Sequence, residues 1–118
     1  MIPYLAIFLG GGMGSLARFG VSKAFYNPNF PVGTLVANFL SCIIIGVALF
    51  VFADKFNSNN SLKLLVVTGF CGGFSTFSTF SYETFNLIKT GQHLFAILNI
   101  AISLVFCISL IYGLSKLA

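Results

Sequence analysis

Seven residues, Ser75-Thr76-Phe77-Ser78-Thr79-Phe80-Ser81, alternate hydroxyls with phenylalanines directly after Gly72-Gly73-Phe74 and just before Tyr82-Glu83. The hydroxyls donate hydrogen bonds to an anion. An aromatic edge carries positive quadrupole potential, so phenylalanine edges presented to a small anion replace part of its hydration. A bulky organic cation would prefer the ring faces. The composite therefore suits a hard, compact anion. Counted along a helix, Phe77, Phe80, Ser81 and Thr84 fall close to one face. A phenylalanine stripe is ordinarily core or lipid contact, a reading that the interleaved hydroxyls make less comfortable here.

Other polar residues sit in equally apolar surroundings. Asn38 follows Thr34 by four residues, and Asn99, Ser103 and Cys107 repeat that spacing. The Asn38 amide offers two N–H donors to an anion or, alternatively, an interhelical hydrogen bond. Arg18 either attracts ions or snorkels to the interface. Arg18, Asn38 and Glu83 are each about six residues, or roughly 9 Å, from one boundary of their spans. That common depth suggests an aqueous vestibule in which Arg18 and Glu83 pair. Glu83 read alone is a snorkelling or hydrogen-bonded acid.

These residues need membrane-spanning helices to hold them. The chain has 118 residues, 58% hydrophobic and 7% charged, with a mean hydropathy of +1.02. A span takes about 20 apolar residues, which predicts an all-α membrane protein with four of them: Ile2–Lys23, Val32–Ala53, Leu62–Ile88 and Leu94–Leu117. The connections Phe25–Pro31, Asp54–Ser61 and Lys89–His93 are short and polar, and no extramembrane domain fits beside the single four-span unit. The N-terminus carries no basic residue ahead of its apolar run, which argues against a cleaved signal peptide.

Local sequence adds detail. Gly10 with Gly14, and Gly11 with Ser15, place small residues four apart, which lets two helices approach closely. The pair Gly72-Gly73 predicts a break in the third helix at membrane depth, because glycine tolerates backbone angles that other residues avoid. Freed backbone groups there are tolerable beside a water-filled or ion-occupied cavity. Cys42, Cys71 and Cys107 all lie within spans with no C-x-x-C pair, and His93 is the sole histidine. Thiolate, imidazole and haem chemistry is therefore not expected, and each cysteine reads as a small hydrophobe. Nothing in the chain resembles an enzyme's catalytic constellation.

Charge is balanced across the membrane. Lys55, Lys63 and Lys116 fall on the side of the N-terminus; Lys23 and Lys89 fall on the other, with Arg18 just inside. Orientation follows Lys/Arg asymmetry between short loops, and here there is almost none. The net charge of +4 is spread over both faces, which argues against a nucleic-acid patch. A chain without bias inserts both ways and assembles as an antiparallel, dual-topology homodimer; the competing reading is one orientation set by a subtler cue.

The run from Gly72 to Ser81, the first-span glycines ending in Arg18-Phe19, and Gly33-Thr34-Leu35 with Asn38 together resemble the Fluc (CrcB) family of fluoride channels. The resemblance covers all four spans. It implies an antiparallel homodimer with two fluoride pores, lined by Phe77, Phe80 and Asn38, with Ser78, Thr79 and Ser81 in a polar track and Ser103 at the fourth-span polar position. Asn99 stands where the family pattern carries an aromatic hydroxyl. The resemblance further implies one structural Na⁺ at the dimer centre, held by the backbone carbonyls of Gly72 and Ser75 of each subunit. The implied function is passive export of fluoride from the cytoplasm across a bacterial inner membrane, conferring fluoride resistance.

Two other classes compete. A small proton-coupled multidrug exporter also has four spans and dual topology, but it needs a carboxylate in the first span, where this chain has Arg18. A non-transporting membrane subunit is the third. The charge map gives a direct test. Single cysteines in the Asp54–Ser61 loop, on a background lacking the native three, are expected to label from both membrane faces. Adding several lysines to that loop should fix one orientation. Labelling from one face in the unbiased protein would remove the antiparallel pair.

Overall fold

The computed structural model describes residues 1–117. It is helical throughout its regular structure, with α1 (Ile2–Ala24), α2 (Val32–Gly46, continued by a π-helical stretch Val47–Val51), α3 (Ala53–Ser58), α4 (Asn60–Lys63), a π-helical stretch Leu64–Cys71, α5 (Gly72–Phe74), α6 (Phe77–Lys89) and α7 (His93–Ser115). Four segments are long and apolar enough to cross a membrane: Ile2–Ala24, Val32–Val51, Asn60–Lys89 and His93–Ser115. Spans expected from composition are therefore present, with ends shifted by a few residues.

The ends have local causes. Pro3 lies in the first turn of α1, where its missing N–H is not needed. The second span stops two residues earlier than expected, at an i→i+5 bond from Phe52 N–H to the Val47 carbonyl at 2.9 Å. The segment beyond, read from sequence as a polar connection, instead forms the short helix α3. Asn59 caps the next helix by accepting from Leu62 N–H at 3.0 Å. At the far end of the third span Gly91 (φ +83°) takes the left-handed conformation that ends a helix, and Gln92 N–H returns to the Leu87 carbonyl at 2.8 Å.

The third span leaves the helix at Ser75 (φ −91°, ψ 154°) and Thr76 (φ −152°, ψ 126°). The sequence reading put the interruption at the paired glycines, yet Gly72 (φ −63°, ψ −35°) is helical. Gly73 serves packing instead, while a Cβ on Gly72 would meet nothing within 4 Å. A Cβ on Gly73 would run into the Gly11 carbonyl, and one on Gly14 into the Phe70 carbonyl and within 2.9 Å of Phe74 N. A Cβ on Gly69 would lie 3.0 Å from the Gly10 Cα. The glycine stripe of α1 thus meets a second glycine set on the third span backbone to backbone.

Further contacts are α2 on α7, α1 on α2, and α6 on α7. The body measures 49 × 32 × 20 Å, so its thinnest dimension is that of two helices side by side. Only 11 to 28% of the spans' apolar windows is buried within the chain, leaving most apolar surface for lipid or another protein surface.

Backbone contact on α1 predicts unequal responses to one methyl group. Gly14→Ala should lower the unfolding midpoint in detergent, at a cost of about 1–3 kcal/mol for overpacking. Gly12→Ala, where a Cβ meets nothing within 4 Å, should leave the midpoint unchanged or raise it. Equal responses would mean that α1 does not approach the third span this closely.

Candidate functional site

Two extended residues inside an apolar span leave backbone groups without helical partners, and side chains from other elements take them up. Thr76 N–H, which in a continuous helix would bond the Gly72 carbonyl, donates to Asn38 Oδ1 at 3.3 Å. Thr76 then caps α6, its Oγ1 accepting Thr79 N–H at 3.3 Å and lying 3.0 Å from Ser78 Oγ. Before the interruption, the Cys71 carbonyl accepts Ser75 N–H at 3.0 Å, Ser75 Oγ at 2.7 Å and Ser41 Oγ at 3.4 Å. Arg18 Nε donates to the Gly73 carbonyl at 3.1 Å.

Beside this knot α2, α6 and α7 enclose an open groove of about 220 Å³ whose wall includes Asn38, Ser41, Thr76, Phe77, Phe80 and Ser103. The Thr76 N–H fixes the orientation of the Asn38 amide: Oδ1 must be the acceptor, which leaves both Nδ2 protons for the groove. Ser103 Oγ is buried with no hydrogen-bond partner. A buried hydroxyl in that state is uncommon. The Phe77 and Phe80 rings stand 5.9 Å apart, tilted by 42°, with Phe77 77% exposed in the single subunit. Behind Phe80, the buried Asn99 donates to Thr84 Oγ1 at 2.9 Å, and that hydroxyl donates to the Phe80 carbonyl at 2.8 Å. This chain holds α6 against α7 and so positions the phenylalanine. Fully neutral donors and ring edges around one groove can solvate an anion without binding it as a salt.

Of the residues singled out from sequence, Asn38, Phe77, Phe80 and Ser103 come together on the groove. Ser78 and Ser81 are exposed and Thr79 is half-buried, all three outside the groove lining of the single subunit. Arg18 and Glu83 do not meet as expected. Arg18 is bound at Gly73, while Glu83 lines a separate polar pocket of about 290 Å³ with Asn86, Thr90 and the Asn27–Pro31 loop. Glu83 lies seven residues beyond Thr76, about 10 Å along the helix, and its Oε1 is buried without a partner. Equal counting from loop boundaries could not reveal this, because the spans differ in length and counting gives no rotation.

Two contributors went unrecognised in the sequence. Ser41 follows Asn38 by three residues on the same face of α2, a signal within reach. Thr76 as a helix N-cap could be recognised only once the interruption was placed at Ser75.

A family model described as CrcB-like protein, Camphor Resistance (CrcB), matches residues 5–114. The chain belongs to the CrcB family. It is 41% identical over 109 residues to the "Fluoride-specific ion channel FluC" of Coxiella burnetii (strain CbuK_Q154), covering 89% of this chain and 88% of that one. It is 46% identical over 102 residues to the protein of the same name in Nitrosomonas europaea, covering 85% and 80%. To that of Pyrococcus abyssi it is 38% identical over 109 residues, covering 92% and 89%. With its four apolar spans, this CrcB chain is a multi-pass membrane protein.

The Asn38–Thr76 bond should carry measurable stability. Asn38→Leu leaves Thr76 N–H unpaired in an apolar setting, at a cost of about 1–3 kcal/mol, read as a lower unfolding midpoint in detergent. Ser81→Ala, on the exposed face, should stay within about 0.5 kcal/mol of the parent. An unchanged midpoint in Asn38→Leu would remove this bond from the account.

Proposed function

We propose that the protein is a fluoride-selective channel that lets the anion leave the cytoplasm passively. The observation that carries this reading is the groove at the third-span interruption, whose wall brings together Asn38, Ser103, Phe77 and Phe80. Relatives across most of the chain's length are named fluoride-specific ion channels. Ser78, Thr79 and Ser81 extend the polar track outside the groove of one subunit. Fluoride enters cells as the neutral weak acid from acidified surroundings, re-ionises at cytoplasmic pH and is trapped. A leak selective for the anion lowers that accumulation, aided by an inside-negative potential, and gives resistance. No coupling carboxylate is needed, and the first span has none.

The working unit in this reading is an antiparallel, dual-topology homodimer in the cell inner membrane. The balanced lysines support it, and so does the exposure of Phe77 in a lone subunit. The interruption of the third span then lies at membrane depth on the two-fold axis, with Gly72 and Ser75 carbonyls from both subunits facing one another.

The Na⁺ of the family resemblance fits the residues present. Gly72 and Ser75 are the carbonyls whose helical partners are diverted, Thr76 N–H to Asn38 and Thr79 N–H to the Thr76 hydroxyl. A Cβ at Gly72 would meet nothing within 4 Å in its own subunit, so that face is open to a partner. Gly72 and Ser75 would hold the cation through backbone oxygens, donors suited to a hard ion. When bound, it supplies positive charge that neutralises carbonyl dipoles meeting across the dimer axis. Arg18 meanwhile occupies the Gly73 carbonyl, and Asn38 holds the start of α6 in register.

The test is fluoride efflux from liposomes containing purified protein, with chloride as the comparison anion. Phe80→Ile keeps bulk and removes the aromatic edge, a contribution of about 0.5–1.5 kcal/mol. Flux per folded dimer should fall about two- to twelvefold, at 1.4 kcal/mol per decade. Phe74, buried and stacked on Phe70 at 5.4 Å, is the packing control: Phe74→Ile should lower stability more than unit flux. Unchanged fluoride flux in a folded Phe80→Ile dimer would refute the pore role.

A further inference from the structure

Read singly, the cysteines are small hydrophobes; the fold brings two of them to one level. α2 and α7 pack in the same direction, as their contacts show. The Phe30 and Phe95 rings are 5.8 Å apart, those of Phe39 and Phe106 are 5.9 Å apart, and a Cβ on Gly46 would lie 3.0 Å from Leu114 Cβ. These partners are separated in sequence by 65 to 68 residues, and Cys42 and Cys107 by 65. The pair therefore sits between the Phe39–Phe106 and Gly46–Leu114 contacts. Both thiols line the same groove beside Asn38 and Ser103, and neither is in a disulfide.

We propose that Cys42 and Cys107 form a two-thiol site for a soft, linearly coordinating dication of the mercury(II) class on the groove wall. Thiolates are the sulfur ligands that soft metals select. A linear ion needs only two donors. Zinc in tetrahedral coordination needs more, and the described residues contain no group of three or more His, Cys, Asp or Glu able to hold a metal. Charge decides the valence. Two S–H bonds break, two metal–sulfur bonds form, and two protons leave through the groove to water. The bis-thiolate complex of a dication is as neutral as the two thiols it replaces. A monovalent soft cation on two thiolates would leave a net negative charge in an apolar span, which is costly. No electron changes hands, so no oxidant is required. An ion held there narrows the groove that carries fluoride, a consequence that rests on the channel reading.

The test loads purified protein with mercuric chloride, washes it with excess monothiol, and counts bound metal by intact mass spectrometry. A chelating pair keeps its ion through the wash, whereas a single thiol loses it to the competitor. One mercury per subunit is expected in the parent and in Cys71→Ser. Cys42→Ser and Cys107→Ser should each retain less than a tenth of that, with Cys42→Ala and Cys107→Ala as alternates should a serine variant not fold. Retention in both single variants, or loss in Cys71→Ser, overturns the site. Fluoride flux is read separately, and loading should cut it at least tenfold in the parent. Full loading with unchanged flux overturns the placement of the pair on the conducting path. A parent that conducts no fluoride before loading overturns the channel reading, while the metal count still decides the site.

Discussion

An apolar medium offers no hydrogen bonds, so every backbone group released from a helix inside it must find a partner in the protein or line a cavity. The interruption at Ser75 and Thr76 releases several at once. Their partners are Arg18 on α1, Asn38 on α2 and the Thr76 side chain itself, while Ser41 and the Ser75 hydroxyl add to the Cys71 carbonyl just before it. Each unmet group would cost several kcal/mol, comparable with a large share of the stability of a small domain, about 5–15 kcal/mol. The interruption and its polar partners therefore stand or fall together.

That requirement reaches back to the glycines. Arg18 can reach the Gly73 carbonyl only if α1 lies close against the third span, and the stripe Gly10, Gly14, Gly69 and Gly73 permits backbone contact there. α2, itself packed on α1, reaches the interruption through Asn38 and Ser41, and α7 adds Ser103 to the groove wall. Asn99 then fixes α6 through Thr84 to the carbonyl of Phe80. Packing of small residues and satisfaction of polar ones are one device here.

The four spans were legible because hydropathy carries them directly, whereas the grouping of Asn38, Phe77, Phe80 and Ser103 on one groove came from the family resemblance. The place of the interruption was not. Paired glycines signal either a broken helix or a close helix contact, and only the neighbouring Gly11 decides for contact. Arg18 and Glu83 were misplaced relative to each other because boundary counting gives depth but not rotation, and the Gly73 carbonyl is invisible in a sequence. The Cys42–Cys107 proximity was hidden for a related reason: it depends on the register of α2 against α7, which no local pattern encodes.

Binding the guanidinium of Arg18 to a carbonyl has a consequence for conduction along the proposed path. A free cation about 4 Å from a fluoride, at an effective dielectric constant near 20, would attract it by about 4 kcal/mol. At 1.4 kcal/mol per decade that slows departure nearly a thousandfold. A channel needs an ion bound well enough to enter and weakly enough to leave. In the proposed channel the groove would meet both demands with partial charges, from the Asn38 amide, the unpartnered hydroxyl of Ser103 and the rings of Phe77 and Phe80. Arg18, held at the Gly73 carbonyl, is not part of the groove wall, so neutral dipoles would be left to pass the ion.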